Sequence, residues 1–334
     1  MGIEVERLEG PDDVDWNSLV ERSPMGSVFH HTAALDVLAD HSGGRLHLLA
    51  GYKGQEVVGL FPVFELSKGP VSTAFSPPPR LGVPALGPVL TNYGKLKRKK
   101  LDRRTKGLVD GALDWLEREL DPGYTHIETT PAFRDARPFL WSDYEVTPRY
   151  TYELDLTGGT DAVLEGFKRN LRSRIRRHED ADYEVFVGGA DAIDFIIDQV
   201  RARFEQQGET YAIEAQYVRD LHAALPDDAL RPYVGAVDGQ YHGGVLVPAL
   251  GEELFFWQGG GKPDAPLPIN DLVHWRIIQD AVDRGLSTYN LTGANTHRIA
   301  EYKAKFNPDL SPYYEVERGT RTMNVVSGVY RRLR

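Results

Sequence analysis

Residues 46–63 read LHLLAGYKGQEVVGLFPV and residues 231–248 read RPYVGAVDGQYHGGVLVP, so that one pattern occurs twice at an offset of 185 positions. In each copy an apolar, β-prone run leads to a Gly-Gln pair, Gly54-Gln55 or Gly239-Gln240, and a second apolar run follows. An Asp-Gly pair between two such runs, as at Asp238-Gly239, is a strong hairpin signal. The pattern predicts two β-hairpins of the same kind.

The segments that follow the two hairpins also repeat. Helix-like stretches at 108–120 and 272–282 each precede a short β-prone segment, at 125–128 and 287–291. Because both features recur in the same order, we expect two copies of one α/β unit.

The composition is that of a folded chain long enough for two domains. The 334 residues are 41% hydrophobic and 26% charged, and a domain commonly has about 100–150 residues. No apolar run approaches the roughly 18 residues of a membrane span, and the N-terminus MGIEVERLEG does not resemble a secretory signal. The absence of cysteine excludes disulfides, thiolate catalysis and cysteine metal sites. These features predict a cytoplasmic protein.

Positive charge is concentrated in two windows of an otherwise acidic chain, whose net charge is −10. The first window has eight basic residues within 95–106, and the second has six within 168–177. Each window is either a solvated helix face or a surface that attracts a phosphate-bearing ligand such as coenzyme A, a nucleotide or a tRNA acceptor stem. Because no base-reading motif accompanies the windows, sequence-specific nucleic-acid binding is not expected.

Turn and helix signals divide the chain near residue 152. A turn at 157–160 precedes a helix start, so we expect an N-terminal domain at 1–152 and a C-terminal domain at 153–320. Residues 321–334 form a basic tail, for which docking as a short helix is one interpretation.

Within the C-terminal domain, apolar spacing and glycines mark the elements. A basic helix is predicted at 161–179 and a strand at 254–257, after which Gly259-Gly260-Gly261 is expected to break the pattern. The recurrence of apolar residues predicts an amphipathic helix through Ile193, Ile196, Ile197, Val200 and Phe204.

Three motifs of the second half carry a family resemblance. They are the basic segment Asn170–Arg177, Gly293 at the end of the penultimate strand, and Tyr302-Lys303-Ala304-Lys305-Phe306, which is similar to a Tyr-Lys-x-x-Phe signature. Together with the duplicated unit, they make nearly the whole chain resemble the tandem-GNAT Fem-like family of peptidyltransferases and their acetyltransferase relatives. The resemblance implies an α/β (α+β) fold of two tandem GNAT-like domains, each a mixed, mostly antiparallel sheet flanked by helices.

The chain departs from the family pattern in two places that concern the acyl donor. The helical arm that Fem enzymes insert in the second domain, thought to contact tRNA, has no room between Val187 and Arg231. The phosphate loop of GNAT enzymes is only partly matched at 258–263, where a proline replaces the last small residue. By resemblance, acyl-CoA would contact that loop and be attracted by the second basic window, through Gly259, Gly260, Gly261, Arg172 and Arg176.

The strongest catalytic candidate is Lys303. A helix over 295–306 would place Ile299, Tyr302, Lys303 and Phe306 on one apolar stripe and would leave Lys305 facing water. A lysine in such a stripe is costly unless its ammonium group meets a partner or ligand, although its methylenes can also cover apolar surface while the charge reaches solvent. By resemblance, Tyr302 and Lys303 are catalytic, and Lys303 would hold a substrate carboxylate or the tetrahedral oxyanion.

Five further residues are candidates for substrate binding. Arg298 could hold a phosphate or carboxylate, or form a surface ion pair. Asn290 and Asn295 lie near the end of a predicted strand, where they either contact a ligand or make the turn and cap the next helix. Gln258 could orient a substrate amide, and Trp257 either walls the pocket or packs in the core. No metal cofactor is expected, because the ten histidines lack ligand spacing.

These features lead us to expect an N-acyltransferase that moves an acyl or aminoacyl group onto an amine of a polar, anionic acceptor. Its partners would be a small-molecule acyl donor, with acyl-CoA favoured, and the amine acceptor. One alternative is a peptidyltransferase that takes its donor from aminoacyl-tRNA. A second alternative is a non-catalytic tandem GNAT protein that binds an anionic glycan, a lipid headgroup or a nucleic acid.

Overall fold

The structure is a computed structural model, and it describes residues 2–68, 71–262 and 264–319. These residues form two compact units, of which the first runs to Arg149 and resumes at Pro312, and the second runs from Tyr150 to Ser311. Residues 312–319, which we expected in the C-terminal domain, therefore group with the first unit. The predicted tail at 321–334 lies outside the described residues.

The described chain contains both strands and helices, in consecutive runs of one to four strands and of one or two α-helices. The strands are β1 (Glu4–Arg7), β2 (Arg45–Lys53), β3 (Glu56–Lys68), β4 (Val71–Ser76), β5 (Val89–Leu90), β6 (Tyr124–Glu128), β7 (Glu145–Asp155), β8 (Glu184–Val187), β9 (Leu230–Val237), β10 (Gln240–Leu250), β11 (Glu253–Phe255), β12 (Gln258–Gly261), β13 (Thr288–Asn290) and β14 (Asp309–Gly319). The α-helices are α1 (Trp16–Glu21), α2 (Thr32–Ser42), α3 (Arg98–Glu119), α4 (Arg137–Trp141), α5 (Gly159–Gly166), α6 (Arg169–Arg177), α7 (Ala190–Gln206), α8 (Ala215–Ala224), α9 (Ile269–Asp283) and α10 (His297–Lys303). None of these helices is both long enough and apolar enough to cross a membrane.

The first unit is built on a mixed, mostly antiparallel sheet with strand order β1-β2-β3-β4-β6-β14. Only β4 and β6 run parallel among these described pairs, and β5 adds to the side of β3. The long helix α3 packs against β1, β2 and β3. Its apolar face is buried through Leu108, Val109, Ala112, Leu113 and Leu116.

The second unit has a sheet of the same kind, with strand order β7-β13-β11-β10-β9-β8. Its described neighbours are antiparallel except for the parallel pair of β11 and β13. Helices α7 and α9 both pack against β9 and β10. The predicted fold class, with a mixed sheet and flanking helices in each half, is confirmed.

Both predicted hairpins are confirmed, as β2-β3 and β9-β10. In the first, Lys53 pairs with Glu56 across the loop Gly54-Gln55, as expected. In the second, Val237 pairs with Gln240, so the loop is Asp238-Gly239 and lies one residue earlier than predicted. Both residues of that loop have positive φ, 51° and 73°, which Asp-Gly accommodates with little strain.

Two local expectations were wrong, and one strand was missed. Helix α3 begins at Arg98, ten residues before the predicted start at Leu108, and therefore includes most of the first basic window. The prediction followed the apolar face alone, and the buried apolar residues of that face begin only at Leu108. The basic helix expected at 161–179 is two helices, α5 and α6, since Phe167 is extended and buried between them. Strand β7, over Glu145–Asp155, was not predicted; the chain passes from the first unit to the second within it, between Arg149 and Tyr150.

Candidate active site

Two neighbouring strands of the second unit separate at their carboxyl ends. Strand β11 pairs with β13 through Phe255 and Asn290, and the amide of Phe256 donates to the carbonyl of Asn290 at 2.8 Å. Beyond that point the chain continues as β12, which in the described part of the protein pairs with β10 alone. The backbone after β13 goes instead through Thr292 and Gly293. We refer to this divergence, lined by Phe256, β12, Thr292 and Gly293, as the strand fork.

The ammonium group of Lys303 lies at the strand fork. Lys303 is only 5% exposed, and its Nζ donates to the carbonyl of Thr292 at 3.2 Å and lies 4.7 Å from the ring centroid of Phe256. A Cβ atom on Gly293 would lie 3.1 Å from the same Nζ, so the missing side chain leaves room for the ammonium group. The burial rules out the interpretation in which this charge reaches solvent.

The charge of Lys303 has no carboxylate partner within 4 Å among the described residues. Burial lowers the pKa of Lys303 from 10.5 to about 7, because removing an ammonium group from water disfavours its charged form. At neutral pH the group is therefore poised between its two protonation states, and a negative charge arriving at the strand fork would favour the ammonium form.

Helix α10 and the turn after it hold Lys303 in this position. A short 3₁₀ turn, Ala304–Phe306, follows α10, and Phe306 is buried with its ring 5.3 Å from that of Phe167 and 5.4 Å from that of His274. The predicted apolar stripe is confirmed for Tyr302, Lys303 and Phe306, which are buried or partly buried, but Ile299 is 38% exposed. The buried stripe is therefore shorter than the sequence indicated, although Ile299 lies within α10.

Lys305 and Tyr302 meet at a buried carboxylate on α9. The expectation that Lys305 faces water was wrong: its Nζ forms an ion pair with Asp271, which is 3% exposed and also receives Arg174 at 2.7 Å. The hydroxyl of Tyr302 donates to Asp271 at 3.2 Å and accepts from Asn270. Burial, followed by the charge of Asp271, raises the pKa of Tyr302 well above its ordinary value, so this hydroxyl stays protonated and acts as a hydrogen-bonding group.

Buried His274 supports the strand fork from behind. Its Nδ1 lies 2.9 Å from the hydroxyl of Tyr289, and its ring lies 4.6 Å from that of Phe256. Its Nε2 has no hydrogen-bond partner in the part of the chain that the structure describes. Burial, followed by the charges of Lys305 and Lys303, lowers the pKa of His274 to about 3. The imidazole is therefore neutral and adds no positive charge beside Lys303.

The two asparagines predicted to bind substrate have protein partners. The side chain of Asn290 accepts from Thr151 at 2.6 Å and from the amide of Thr292 at 2.9 Å, and it donates to Glu253 at 3.1 Å. Asn295 exchanges two hydrogen bonds with the backbone of Tyr150, at 2.8 and 3.0 Å. Both arrangements fit the turn-forming interpretation, in which the amides shape the backbone at the strand fork.

Glu253 is a residue that the sequence analysis missed. It begins β11 beside Asn290, and burial raises its pKa from 4.5 to about 7, an effect that the Asn290 hydrogen bond partly offsets and the charge of Glu153 adds to. No motif marks this glutamate, because its environment arises only from strand pairing.

Trp257 and Gln258 lie at the start of β12. Trp257 is 6% exposed, and its ring meets the ring of Tyr217 edge-on at 6.0 Å. Of the two predicted roles, these contacts favour packing in the core over lining a pocket. The Oε1 of Gln258 accepts from the hydroxyl of Tyr211 at 3.0 Å. The structure therefore brings Gln258, but not an exposed face of Trp257, to the edge of β12.

The three glycines 259–261 form part of strand β12, so the expectation that they break the pattern was wrong. They pair with residues 243–245 of β10. A Cβ atom on Gly259 would lie 2.2 Å from the carbonyl oxygen of Gly244, and the φ values of Gly259 and Gly260 are 142° and 153°. Only glycine fits such a close, positive-φ pairing, which is why a run of glycine here continues the sheet.

Arg203 and Arg298 lie close enough for their charges to interact, and the sequence analysis missed Arg203. Arg203, near the end of α7, donates to the carbonyl of Gly259 at 3.2 Å and extends over Gly260, where a Cβ atom would lie 2.4 Å from its Nη1. Arg298 on α10 donates to Gln207 at 3.0 Å. Burial, followed by the charge of Arg298, lowers the pKa of Arg203. Within the described residues, neither guanidinium has a carboxylate within 4 Å.

The predicted cofactor residues Arg172 and Arg176 lie on α6 and share one carboxylate. Both form ion pairs with Glu165 of α5, at 3.1 Å for Arg172. Their charge is thus already partly neutralised within the protein. Among the described residues, no group of three or more histidine, aspartate or glutamate side chains is arranged to hold a metal ion.

Comparison with known proteins agrees with this geometry. Residues 165–304, which include the strand fork and Lys303, match the family model described as an acetyltransferase (GNAT) domain. No curated protein matches the sequence significantly. The matched residues all lie in the second unit.

Solved structures match the fold over nearly the whole chain. A structure of FemX is 13% identical and has a TM-score of 0.72, covering 92% of this chain and 96% of FemX. A tandem GNAT protein from the clavulanic acid biosynthesis pathway is 14% identical with a TM-score of 0.50, covering 94% and 97%.

The C-terminal domain of a putative lysylphosphatidylglycerol synthetase from Agrobacterium fabrum is 15% identical with a TM-score of 0.55, covering 94% of each chain. At these identities the likeness establishes the fold. The resemblance to the tandem-GNAT Fem-like family is confirmed.

Proposed function

We propose that the second unit transfers an acyl group from an activated donor to an amine of an anionic acceptor, with Lys303 at the reacting carbonyl. The observation that carries this proposal is the buried ammonium group at the strand fork, which has no described carboxylate partner. Folding gains little from such a group and loses its hydration. A developing oxyanion is the partner that such a site lacks.

The chemistry that this site supports is direct attack without a covalent enzyme intermediate. The neutral amine attacks the carbonyl carbon of the donor, the C–N bond forms, and the bond to the leaving group breaks. For a thioester, the leaving thiolate takes up the proton that the amine loses. Lys303 donates to the oxyanion throughout, and its hydrogen bond to Thr292 orients it. Removing one such donor typically lowers kcat by about 10²–10³-fold.

An acyl-CoA is the proposed donor. The match of residues 165–304 to the acetyltransferase domain supports it, as does the described edge of β12, which pairs with β10 on one side only. The structure of the similar protein from the clavulanic acid pathway is one without AcCoA, so AcCoA is the ligand named for that protein. We also retain the cytoplasmic location expected from the cysteine-free sequence.

An aminoacyl donor is the second candidate. The name of the similar lysylphosphatidylglycerol synthetase describes lysyl transfer to a lipid, and the same Lys303 geometry would serve an ester carbonyl. The short connection between Val187 and Arg231 supports acyl-CoA over a tRNA-bound donor, as argued from the sequence.

The proposed acceptor carries a carboxylate or phosphate that binds Arg203 and Arg298. Two guanidinium groups without a described acid partner repel each other, and an anion between them would relieve that repulsion. Arg298 precedes Lys303 by five residues on α10, which corresponds to about 7.5 Å along a helix axis and about 140° around it. An acceptor whose anionic group binds the arginines would therefore need to be at least about that long for its amine to reach Lys303.

The donor experiment compares acetyl-CoA with charged tRNA as substrates for the purified protein. We expect transfer from acetyl-CoA to amine acceptors, unaffected by ribonuclease and lost in Lys303→Met. Activity that needs charged tRNA and disappears with ribonuclease would replace the donor assignment. A protein that binds acetyl-CoA without turnover, and in which Lys303→Met leaves the biological role intact, would support the non-catalytic alternative.

The acceptor experiment measures binding of inorganic pyrophosphate by titration calorimetry. Replacing Arg203 with glutamine should weaken binding about tenfold, because a charge-assisted hydrogen bond is worth about 1.5–3 kcal/mol. Arg201→Gln is the matched control, since Arg201 lies on the same helix but is paired with Asp198 and Glu214. Equal affinities of the two variants would exclude Arg203 from the anion site.

A further inference from the structure

Two exposed apolar side chains lie beside the first basic window on the surface of the first unit. Leu140 and Trp141 end the short helix α4 and are 52% and 58% exposed, and α4 packs against α3. We refer to this surface as the α3–α4 patch. Its members are all exposed: Lys95, Lys97, Arg98, Lys99, Lys100, Arg103, Arg134, Arg137, Leu140 and Trp141.

A continuous set of contacts connects the basic residues to the tryptophan. The Nε of Arg98 lies 2.7 Å from Asp102, and Arg137 approaches the same carboxylate at 3.5 Å. The guanidinium of Arg137 also lies 5.4 Å from the ring centroid of Trp141. The start of α3 and the end of α4 are therefore connected through Asp102 and Arg137, and the guanidinium of Arg137 lies beside an exposed aromatic ring.

The charges of the α3–α4 patch oppose the stability of the helix that carries them. The first turn of α3 contains Arg98, Lys99 and Lys100 and no acidic residue, although the positive end of a helix dipole disfavours cations there. Of the eight cationic side chains of the α3–α4 patch, Arg98 and Arg137 form ion pairs with described carboxylates, those of Asp102 and Asp135. A partner that supplies negative charge would compensate both the dipole and the mutual repulsion.

We propose that the α3–α4 patch binds the surface of a lipid bilayer that contains anionic phospholipid. The cations would lie at the level of the lipid phosphates, where each Lys or Arg strengthens binding by about fivefold. Trp141 would enter the interfacial region, which tryptophan favours, and Leu140 would bury its exposed surface in the acyl boundary. The phosphates of a single-stranded RNA would bind the cations, and its bases could stack on Trp141. RNA would, however, give the apolar side chain of Leu140 no partner. The proposal is independent of the chemistry at Lys303.

The experiment measures binding of the full chain to vesicles of phosphatidylcholine, with and without about one quarter phosphatidylglycerol. We expect binding only to the anionic vesicles, weakening as salt is added, together with a blue shift of tryptophan emission. Trp141 is the exposed tryptophan of the five, so Trp141→Phe should remove the shift. The others are buried or partly buried: Trp16, Trp115, Trp257 and Trp275.

Matched variants separate the α3–α4 patch from general attraction to charge. Lys99→Gln with Lys100→Gln should lower the vesicle partition coefficient about 25-fold, and Trp141→Ala about tenfold. The control, Arg169→Gln with Arg177→Gln, removes the same charge from exposed positions of the second basic window and should change binding less than twofold. The proposal is overturned if the control variant loses as much affinity, if no vesicle binding occurs at low salt, or if single-stranded RNA binds through Trp141 while vesicles do not.

Discussion

Replacing Lys303 with methionine should make the protein more stable and much less active. The change keeps the length of the side chain and removes the buried charge. A pKa lowered from 10.5 to about 7 corresponds to an unfavourable term of about 4 kcal/mol at pH 7, at 1.36 kcal/mol per unit. The lost hydrogen bond to Thr292 and the lost contact with the ring of Phe256 offset about 2 kcal/mol of this. We therefore expect the free energy of unfolding to rise by about 2 kcal/mol.

The pH dependence of this stabilisation follows from the direction of the pKa shift. Because the pKa is lower in the folded state, the unfolded chain binds more protons between pH 7 and 10.5, and the wild-type protein gains stability as pH rises through that window. The variant has no such group. Its advantage should be largest at and below pH 7 and should shrink steadily toward pH 10.5.

The assay is urea unfolding of both proteins at pH 6, 7, 8 and 9, alongside acyl-transfer rates. An increase of about 2 kcal/mol corresponds to about 5 °C in Tm for a protein of this size, and kcat should fall by about 10²–10³-fold. The control is Lys305→Met, which should destabilise the protein by about 1–3 kcal/mol because it removes a partner from buried Asp271. A Lys303→Met variant that is less stable than the wild type, by the same amount at every pH, would refute the reasoning.

Two further changes test the geometry of the second unit. Gly259→Ala should lower the free energy of unfolding by more than about 3 kcal/mol, since its Cβ would lie 2.2 Å from the carbonyl oxygen of Gly244. Urea unfolding measures this loss, and the control is Gly251→Ala, at a positive-φ position with open space around it. Equal losses of stability in the two variants would show that the predicted clash at Gly259 does not occur. The pKa of Glu253 is raised from 4.5 to about 7, so the wild-type protein loses stability as pH rises through that window. Glu253→Gln should therefore be more stable by about 3 kcal/mol at pH 8, at 1.36 kcal/mol per unit, and no more stable at pH 4. A pH-independent difference would show that Glu253 is not buried as a neutral acid.

Much of the fold could be predicted from the sequence because its signals are local. The two hairpins follow from alternating apolar runs around short turns, and α7 and α9 follow from apolar residues at helical spacing. Strand β7 was missed because its sequence, with a proline and several charged residues, lies where a boundary was expected. The break between α5 and α6 was missed because it depends on the burial of Phe167 against distant aromatic rings.

The candidate site was predictable only where a short motif carried it. Lys303 stood out because a cation occurs inside an apolar stripe, and the structure buries it. Arg203 carried no comparable signal, since a lysine or arginine near a helix end is ordinary on a surface. Its proximity to Arg298 arises because α10 meets the end of α7, about ninety residues earlier in sequence, where Arg298 donates to Gln207.

The sequence by itself determined the duplicated α/β plan, the two basic windows and the stretch from Tyr302 to Phe306, because each is written in neighbouring residues or in a regular spacing. Only the tertiary structure decided that Gly259–Gly261 continues a sheet, that Lys305 is neutralised by Asp271, and that Lys303 is not. The physical reason is that burial and ion pairing depend on which distant side chains share a space. No local pattern specifies whether a lysine will meet a carboxylate, a carbonyl or water.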